Sequence, residues 1–327
     1  MNFENTDQCI SCGSTKKRLV FNYSGFDSIQ FNCFKCSNCD LLYASPQPII
    51  NDASLNEIYN SDYYKNYFGE NDDYTDDDSP TNRIITKRLQ REFNYFSSFL
   101  DESNTNKKAL DIGCGDGRFL EYFVKLGWSC FGIEPSSFAA ESARRRNIML
   151  IDKNVLELDN SNKFDFIFLD NVIEHLDFPA KYIEKIYTLL GPSGVFVLKT
   201  PNSNGFVERT ETLILSFFPK KFIDWLMRLL REKLHIGSGK IHRYGNLHPP
   251  VHLSIFNKKS ITKALTKGGF SENEITVISG SEYYHQWRVE RPKTKGVFNK
   301  VLKFMKKVGD FLGRGEMLVA IVKKQNN

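Results

Sequence analysis

The run Leu110-Asp111-Ile112-Gly113-Cys114-Gly115-Asp116-Gly117 constrains the fold of this chain more than any other eight residues. Ala109 to Ile112 reads as a short strand, the glycines as the turn after it, and Arg118 to Leu126 as a helix. A strand that passes through a glycine loop into a helix begins a βαβ unit, whose next strand runs parallel to the first. The alternation repeats. Cys130-Phe131-Gly132-Ile133, Met149 to Ile151, Phe164 to Leu169 and Gly194 to Leu198 read as further strands, with helices between them. The expected class is α/β: a parallel sheet covered by helices on both faces. At 327 residues the chain can bury such a core and has length left for other modules.

A glycine loop between strand and helix lets a ligand approach the backbone, and dinucleotide sites use the same device. Two carboxylates separate the options. Asp111 stands just before the first glycine, where an anion repels pyrophosphate but accepts hydrogen bonds from an ammonium group. Glu134 closes the second strand, where an acceptor can grip both hydroxyls of a ribose.

In order, these segments resemble the class I S-adenosylmethionine-dependent methyltransferases. The likeness rests on Leu110 to Gly117, on Gly132-Ile133-Glu134-Pro135-Ser136, and on Phe164 through Asp170-Asn171-Val172-Ile173-Glu174-His175-Leu176. Leu190-Gly191-Pro192-Ser193-Gly194-Val195 matches the family's turn before the fifth strand, and His252-Leu253-Ser254-Ile255-Phe256 and Gly268-Gly269-Phe270 continue the match. The resemblance implies a Rossmann-like sheet of seven strands with S-adenosylmethionine as cofactor. Asp111, Gly113 and Gly115 then line its methionine half, Glu134 holds the ribose, and Asn171 lies beneath the sulfonium. The segment Glu316 to Val322 becomes the last strand, antiparallel at the sheet edge.

Transfer to a hydroxyl, or to a carbon beside a carbonyl, also requires removal of a proton. His175 is the candidate base, at the carboxyl edge of the sheet where ligands bind in such folds, and Glu174 can orient it or touch the acceptor. The same pair reads equally as a helix cap or a cofactor-positioning element. His252 opens a segment that approaches the same cleft, with a structural role as its other reading; His242 and His248 lie in a loop bounded by Gly and Pro.

Five of the seven cysteines fall within the first forty residues. Cys9-Ile-Ser-Cys12 and Cys36-Ser-Asn-Cys39 are two Cys-x-x-Cys knuckles, a pattern that folds over one tetrahedral zinc ion. Cys33 offers an alternative to Cys36, but the symmetric pairing leaves it as a buried thiol. Four thiolates leave no open coordination position, so such zinc holds structure and performs no chemistry.

The division expected from the sequence is a zinc-binding module over 1–46 and a linker with an amphipathic helix (Arg83 to Leu100) over 47–106. The S-adenosylmethionine-binding core over 107–204, a helical lid insert over 205–250 and the C-terminal part of the methyltransferase domain over 251–327 follow. The Tyr59 to Tyr67 cluster reads as packing or as substrate contact. The apolar and basic segment 213–234 reads as a lid or as a peripheral membrane contact. A basic helix is expected around Phe298 to Phe311. The polar N-terminus and the lack of a long apolar run predict a cytoplasmic location.

For the acceptor, a zinc module before this core is similar to that of the sugar C-methyltransferases, which implies a small polar acceptor, a sugar or glycan intermediate. The resemblance does not extend to the additional C-terminal domain of those enzymes, so C-methylation itself is not expected from it. The net charge of +5 supports a nucleic-acid partner only weakly, so a zinc-bearing RNA methyltransferase is the second reading. A non-catalytic zinc-bearing binding protein is the third, opposed by the intact loop from Asp111 to Gly117.

Overall fold

The computed structural model describes residues 3–24, 29–49, 80–100, 106–207, 209–210, 213, 217, 247, 249–280 and 297–325. The Tyr59 to Tyr67 cluster, His242, His248 and nearly all of 213–234 lie outside them. In chain order the strands are β1 (Phe3–Glu4), β2 (Lys17–Ser24), β3 (Gln30–Cys36), β4 (Leu42–Ser45), β5 (Gln47–Pro48), β6 (Lys108–Ile112), β7 (Ser129–Ile133), β8 (Met149–Leu150), β9 (Phe164–Asp170), β10 (Leu190–Pro201), β11 (Ser254–Ile255), β12 (Ile275–Gly280) and β13 (Met317–Lys323). The helices are α1 (Pro80–Ser97), α2 (Arg118–Val124), α3 (Ser137–Arg145), α4 (Pro179–Leu189), α5 (Lys258–Lys267) and α6 (Val297–Phe311).

Seven strands form one Rossmann-like sheet in the order β12-β13-β10-β9-β6-β7-β8. Those from β10 to β8 pair in parallel, as the strand and helix alternation requires, and β13 runs antiparallel to both neighbours. The last strand is therefore not at the edge, as expected from the sequence. The alternating segment Ile275 to Gly280, unassigned there, supplies a seventh strand that closes this side of the sheet outside β13.

Side chains on successive residues of a strand point to opposite faces, and here both faces are buried. Leu110, Ile112, Ile167, Leu169, Phe196 and Leu198 face α4 and α5, where Tyr182, Ile183, Ile186, Ile261 and Leu265 meet them. Ala109, Phe166, Phe168, Val195 and Val197 face α1 and α2, against Leu89, Phe93, Phe96, Phe119 and Phe123. That second layer is largely aromatic: Phe119 stacks on Phe168 at 4.2 Å, and Phe93 meets Phe123 edge-on at 5.0 Å.

A second sheet, in the order β11-β4-β3-β2, is antiparallel and joins the N-terminal module to the remainder. Its outer strand β11 comes from the segment after 250, so the module is completed by residues far away in sequence. Among the described residues, no helix is long and apolar enough to cross a membrane.

Candidate active site

The carboxyl ends of β6, β7, β9 and β10 converge on one edge of the large sheet, and the loops after them make the site. Gly113 and Gly115 adopt left-handed φ of 77° and 54°. At Gly113 a side chain would also collide with Val172, which fills the space beneath the loop. Gly113 and Cys114 donate their amides to Ile133 O at 2.7 and 3.1 Å, fixing the loop to the end of β7.

Asp111 is buried at the floor of this loop, and its Oδ1 has no hydrogen-bond partner among the described residues. Burial first, then the negative charges of Asp170 and Glu134, raise its carboxyl well above the usual aspartate range, against a partial pull from Lys199. A buried carboxylate without a donor is costly, and the ammonium of a methionine moiety supplies both the donor and the charge. Glu134 accepts from Gly115 N at 2.9 Å and from Ser136 N at 2.8 Å. An acceptor carboxylate held at the end of this strand suits the two hydroxyls of a ribose. Asn171 follows β9 with φ 54°, its amide donating to Lys199 O at 3.0 Å and its side chain to Asp170 at 2.7 Å. Asp111, Gly113, Gly115, Glu134 and Asn171, the residues named from the sequence, thus lie together at one edge of the sheet.

Beneath them lies a group that sequence reasoning missed. Lys199 Nζ is fully buried and meets both oxygens of Glu92 at 3.0 Å and Asp170 Oδ2 at 2.8 Å. One cation thus ties α1 to the ends of β9 and β10. The signal was the lysine that closes the apolar run Val195-Phe196-Val197-Leu198, but nothing in the sequence pointed to Glu92 as its partner.

Immediately beyond Asn171, a short turn over Ile173–His175 carries the second part of the site. Glu174 is buried, accepts from Thr200 Oγ1 at 3.0 Å, and has its carboxyl pushed up to about 8, chiefly by burial. His175 Nδ1 lies 2.9 Å from Val251 O, a carbonyl that accepts from it and fixes the ring. The ring of His252 crosses that of His175 at 70° with 4.6 Å between centroids. One donor atom from each of Glu174, His175 and His252 lies within 4.8 Å of the others. The sequence named all three residues; Thr200 and Val251, which orient them, were not foreseen.

In the N-terminal module, Cys9 Sγ lies 3.6 Å from Cys39 Sγ, and Cys12 Sγ 3.5 Å from Cys36 Sγ; all four sulfurs fall within 4.8 Å of one another. Bonds of about 2.3 Å to a tetrahedral zinc ion would separate sulfurs by about 3.8 Å, so the donor set fits. Gly13 and Asp40, each following the second cysteine of its knuckle, have left-handed φ of 74° and 62°. The crowding of sulfurs lowers the Cys9 thiol to about 5, mainly because the Cys39 thiol donates to it, and raises Cys39 for the same reason. Cys33 takes no part. It packs with Phe31, Ala44, Leu247 and Ile255, and burial pushes its thiol up to about 12.

Comparison with known proteins agrees with the cofactor cradle. A ubiquinone biosynthesis O-methyltransferase of Rhodopseudomonas palustris is 35% identical over 103 residues, 30% of this chain and 41% of that protein. Its counterpart in Pelagibacter ubique is 31% identical over 153 residues, 44% of this chain and 63% of the other. The chain thus spans less than two thirds of the length of these relatives. Among solved structures, an S-adenosylmethionine-dependent methyltransferase from Archaeoglobus fulgidus aligns with 80% of this chain and 98% of its own, at 16% identity and a TM-score of 0.47. Phosphoethanolamine N-methyltransferase 2 of Haemonchus contortus, solved with S-adenosylmethionine, aligns with 87% of this chain and 63% of its own, at 17% identity and 0.47. The family described as a methyltransferase domain matches residues 82–272, more than half of the 327. The chain belongs to that methyltransferase-domain family.

Proposed function

We propose that this chain transfers the methyl group of S-adenosylmethionine to a hydroxyl oxygen of a small polar acceptor, and that zinc on Cys9, Cys12, Cys36 and Cys39 holds its N-terminal module. The observation that carries the acceptor reading is the convergence of Glu174, His175 and His252 beside the cofactor cradle, with Val172 of the same turn packed under Gly113. An amine acceptor in its neutral form can attack without such a group, whereas a hydroxyl must give up its proton.

S-adenosylmethionine brings the activated methyl group, and the protein supplies alignment and proton removal. Asp111 and Glu134 hold the two ends of the cofactor against the glycine loop. Lys199 fixes Asp170, which in turn fixes Asn171 under the reacting region. The Glu174, His175 and His252 cluster binds the acceptor hydroxyl and takes part in its deprotonation.

The sequence resemblance pointed to a sugar or glycan acceptor. The two sequence relatives described above, of Rhodopseudomonas palustris and Pelagibacter ubique, are named O-methyltransferases, which supports oxygen as the acceptor atom. A sugar or glycan remains one carrier of that hydroxyl. The test is a methylation assay with labelled cofactor on metabolite extracts, followed by identification of the labelled product. A methyl ether is expected; label recovered only on nitrogen or carbon would overturn the reading.

A further inference from the structure

The cysteine cluster is not the only group of side chains disposed to hold a cation. Glu174 is 1% exposed and no lysine, arginine or histidine forms an ion pair with it among the described residues. A buried carboxyl is neutral, paired with a cation or bound to a metal. The Glu174 carboxyl accepts from Thr200 Oγ1 and from its own backbone amide, which fix its orientation. Two imidazoles stand within reach of that carboxylate, and Nδ1 of His175 is anchored on Val251 O. A metal-binding histidine typically donates its second nitrogen to a backbone carbonyl in this way, and a metal-binding carboxylate is itself hydrogen-bonded. The site is held from two sides: the amide of Leu253 donates to Glu174 O at 2.8 Å, while Leu253 O accepts from Ala44 of β4 at 2.9 Å.

Resting on the oxygen-acceptor reading, we propose that Glu174, His175 and His252 bind one divalent transition-metal cation, to which the acceptor hydroxyl coordinates. Two imidazoles and one carboxylate suit zinc, iron, cobalt or manganese, and three protein donors leave a position open for the acceptor. Coordination lowers the pKa of the hydroxyl, and its proton passes to solvent. The oxygen then attacks the methyl carbon: the carbon–sulfur bond breaks, the carbon–oxygen bond forms, and the cofactor leaves as the uncharged thioether. In this arrangement His175 is a ligand, and the cation takes over the task of a general base.

Full-length protein with zinc at the cysteines should be titrated with Mn²⁺, followed by the electron paramagnetic resonance of the free ion. Four thiolates disfavour this cation, so uptake reports the second site. One Mn²⁺ per chain is expected. His252→Ala and Glu174→Gln should each weaken binding by about a hundredfold or more, and Thr200→Val by about 10- to 100-fold, with S-adenosylmethionine affinity retained. Circular dichroism checks folding; if Glu174→Gln fails to fold, the half-buried His252 decides the question. No uptake of Mn²⁺, nor of Co²⁺ beyond the cysteine site, would overturn the proposal. So would undiminished uptake in His252→Ala. A protein that binds Mn²⁺ as described but methylates nitrogen or carbon would overturn the acceptor reading and leave the metal site standing.

Discussion

The large sheet carries an apolar layer on each face, one aliphatic and built from α4 and α5, the other aromatic and built from α1 and α2. The four-stranded sheet of the N-terminal module has a small cluster of its own: Phe31, Cys33, Ala44, Leu247 and Ile255. Burial at about 25 cal/mol per Å² of apolar surface can support the first without help, but a cluster of this size falls well short of the ordering cost of some forty residues. A zinc ion on the four sulfurs would make up the difference. Cys9, Cys36, Cys39, Leu41 and Tyr43 also belong to the aliphatic layer of the main core, so the two cysteine knuckles dock on it. The module in turn supplies β4, the strand on which β11 pairs, directly after His252. The N-terminal module thereby helps to set the position of His252.

Removing a sulfur tests this division most severely. Cys39→Ser should lose zinc and unfold the module, because metal binding there is coupled to folding. Methyl transfer should fall by about a hundredfold or more, since His252 loses its support and small misplacements have costs of that size. Affinity for S-adenosylmethionine should stay within about twofold, because the two sites share no partner. Elemental analysis, an activity assay and calorimetry on one preparation give all three quantities. Equal loss of activity and cofactor affinity would mean that the two regions are a single cooperative unit.

The converse experiment attacks the large sheet and leaves the cysteines alone. Lys199→Met leaves Glu92 its longer contact with Arg88 at 3.6 Å and removes the lysine from half-buried Asp170, a loss of up to about 3–5 kcal/mol for a broken buried ion pair. Chemical denaturation should show that loss, with zinc content unaltered. Adding Glu92→Gln should restore part of the stability. Full stability in Lys199→Met would show that water or another group compensates, and would remove Lys199 as the element that positions Asp170 and Asn171.

Asp111 gives a smaller effect with a definite pH dependence. Its carboxyl lies well above the usual range in the folded protein, so the stability tied to it is fully present below the unfolded pKa and is lost as pH rises through the folded one. The cofactor-free protein should therefore melt at lower temperature as pH climbs past the ordinary aspartate range. Affinity for the cofactor should increase over the same window, because only the ionised carboxylate attracts its ammonium. Asp111→Asn should flatten both profiles, and Asp111→Ala should weaken binding about tenfold or more. Profiles that keep their slope in Asp111→Asn would assign the titration to another group.

What could be read in advance follows from how local each feature is. The glycine loop, Glu134 and the two cysteine knuckles are each encoded within a few residues; the structure sets Glu134 against the loop and gathers the four sulfurs. The strand alternation also gave the parallel part of the sheet. The position of β13 was not legible, because the alternation of Met317 to Lys323 says nothing of which neighbours it takes, and β12 was passed over in a stretch without helices. Pairs distant in sequence were invisible for the same reason: Lys199 with Glu92, Glu174 with Thr200, and His175 with Val251 are joined only by the fold. His252 was named from its segment, yet nothing in that segment predicted a ring contact with His175.

The smallest expected effect separates the two kinds of cysteine in the module. Cys33 and Cys36 are three residues apart on β3, and both are fully buried. Burial alone raises the Cys33 thiol to about 12, so it is uncharged at neutral pH and behaves as a small apolar group. Cys33→Ser should lower stability by about 1–3 kcal/mol through the buried hydroxyl, and Cys33→Ala by about 1 kcal/mol through the void, with one zinc per chain in both. Cys36→Ser should lose the zinc, since its sulfur stands 3.5 Å from that of Cys12 and completes the four. Zinc content normalised to folded protein separates loss of a ligand from loss of packing. Loss of zinc in Cys33→Ser together with retention in Cys36→Ser would reassign the second knuckle to Cys33 and Cys39. It would also mean that β3 shifts when the ion binds, since the Cys33 pairing with Ala44 places its side chain in the separate apolar cluster.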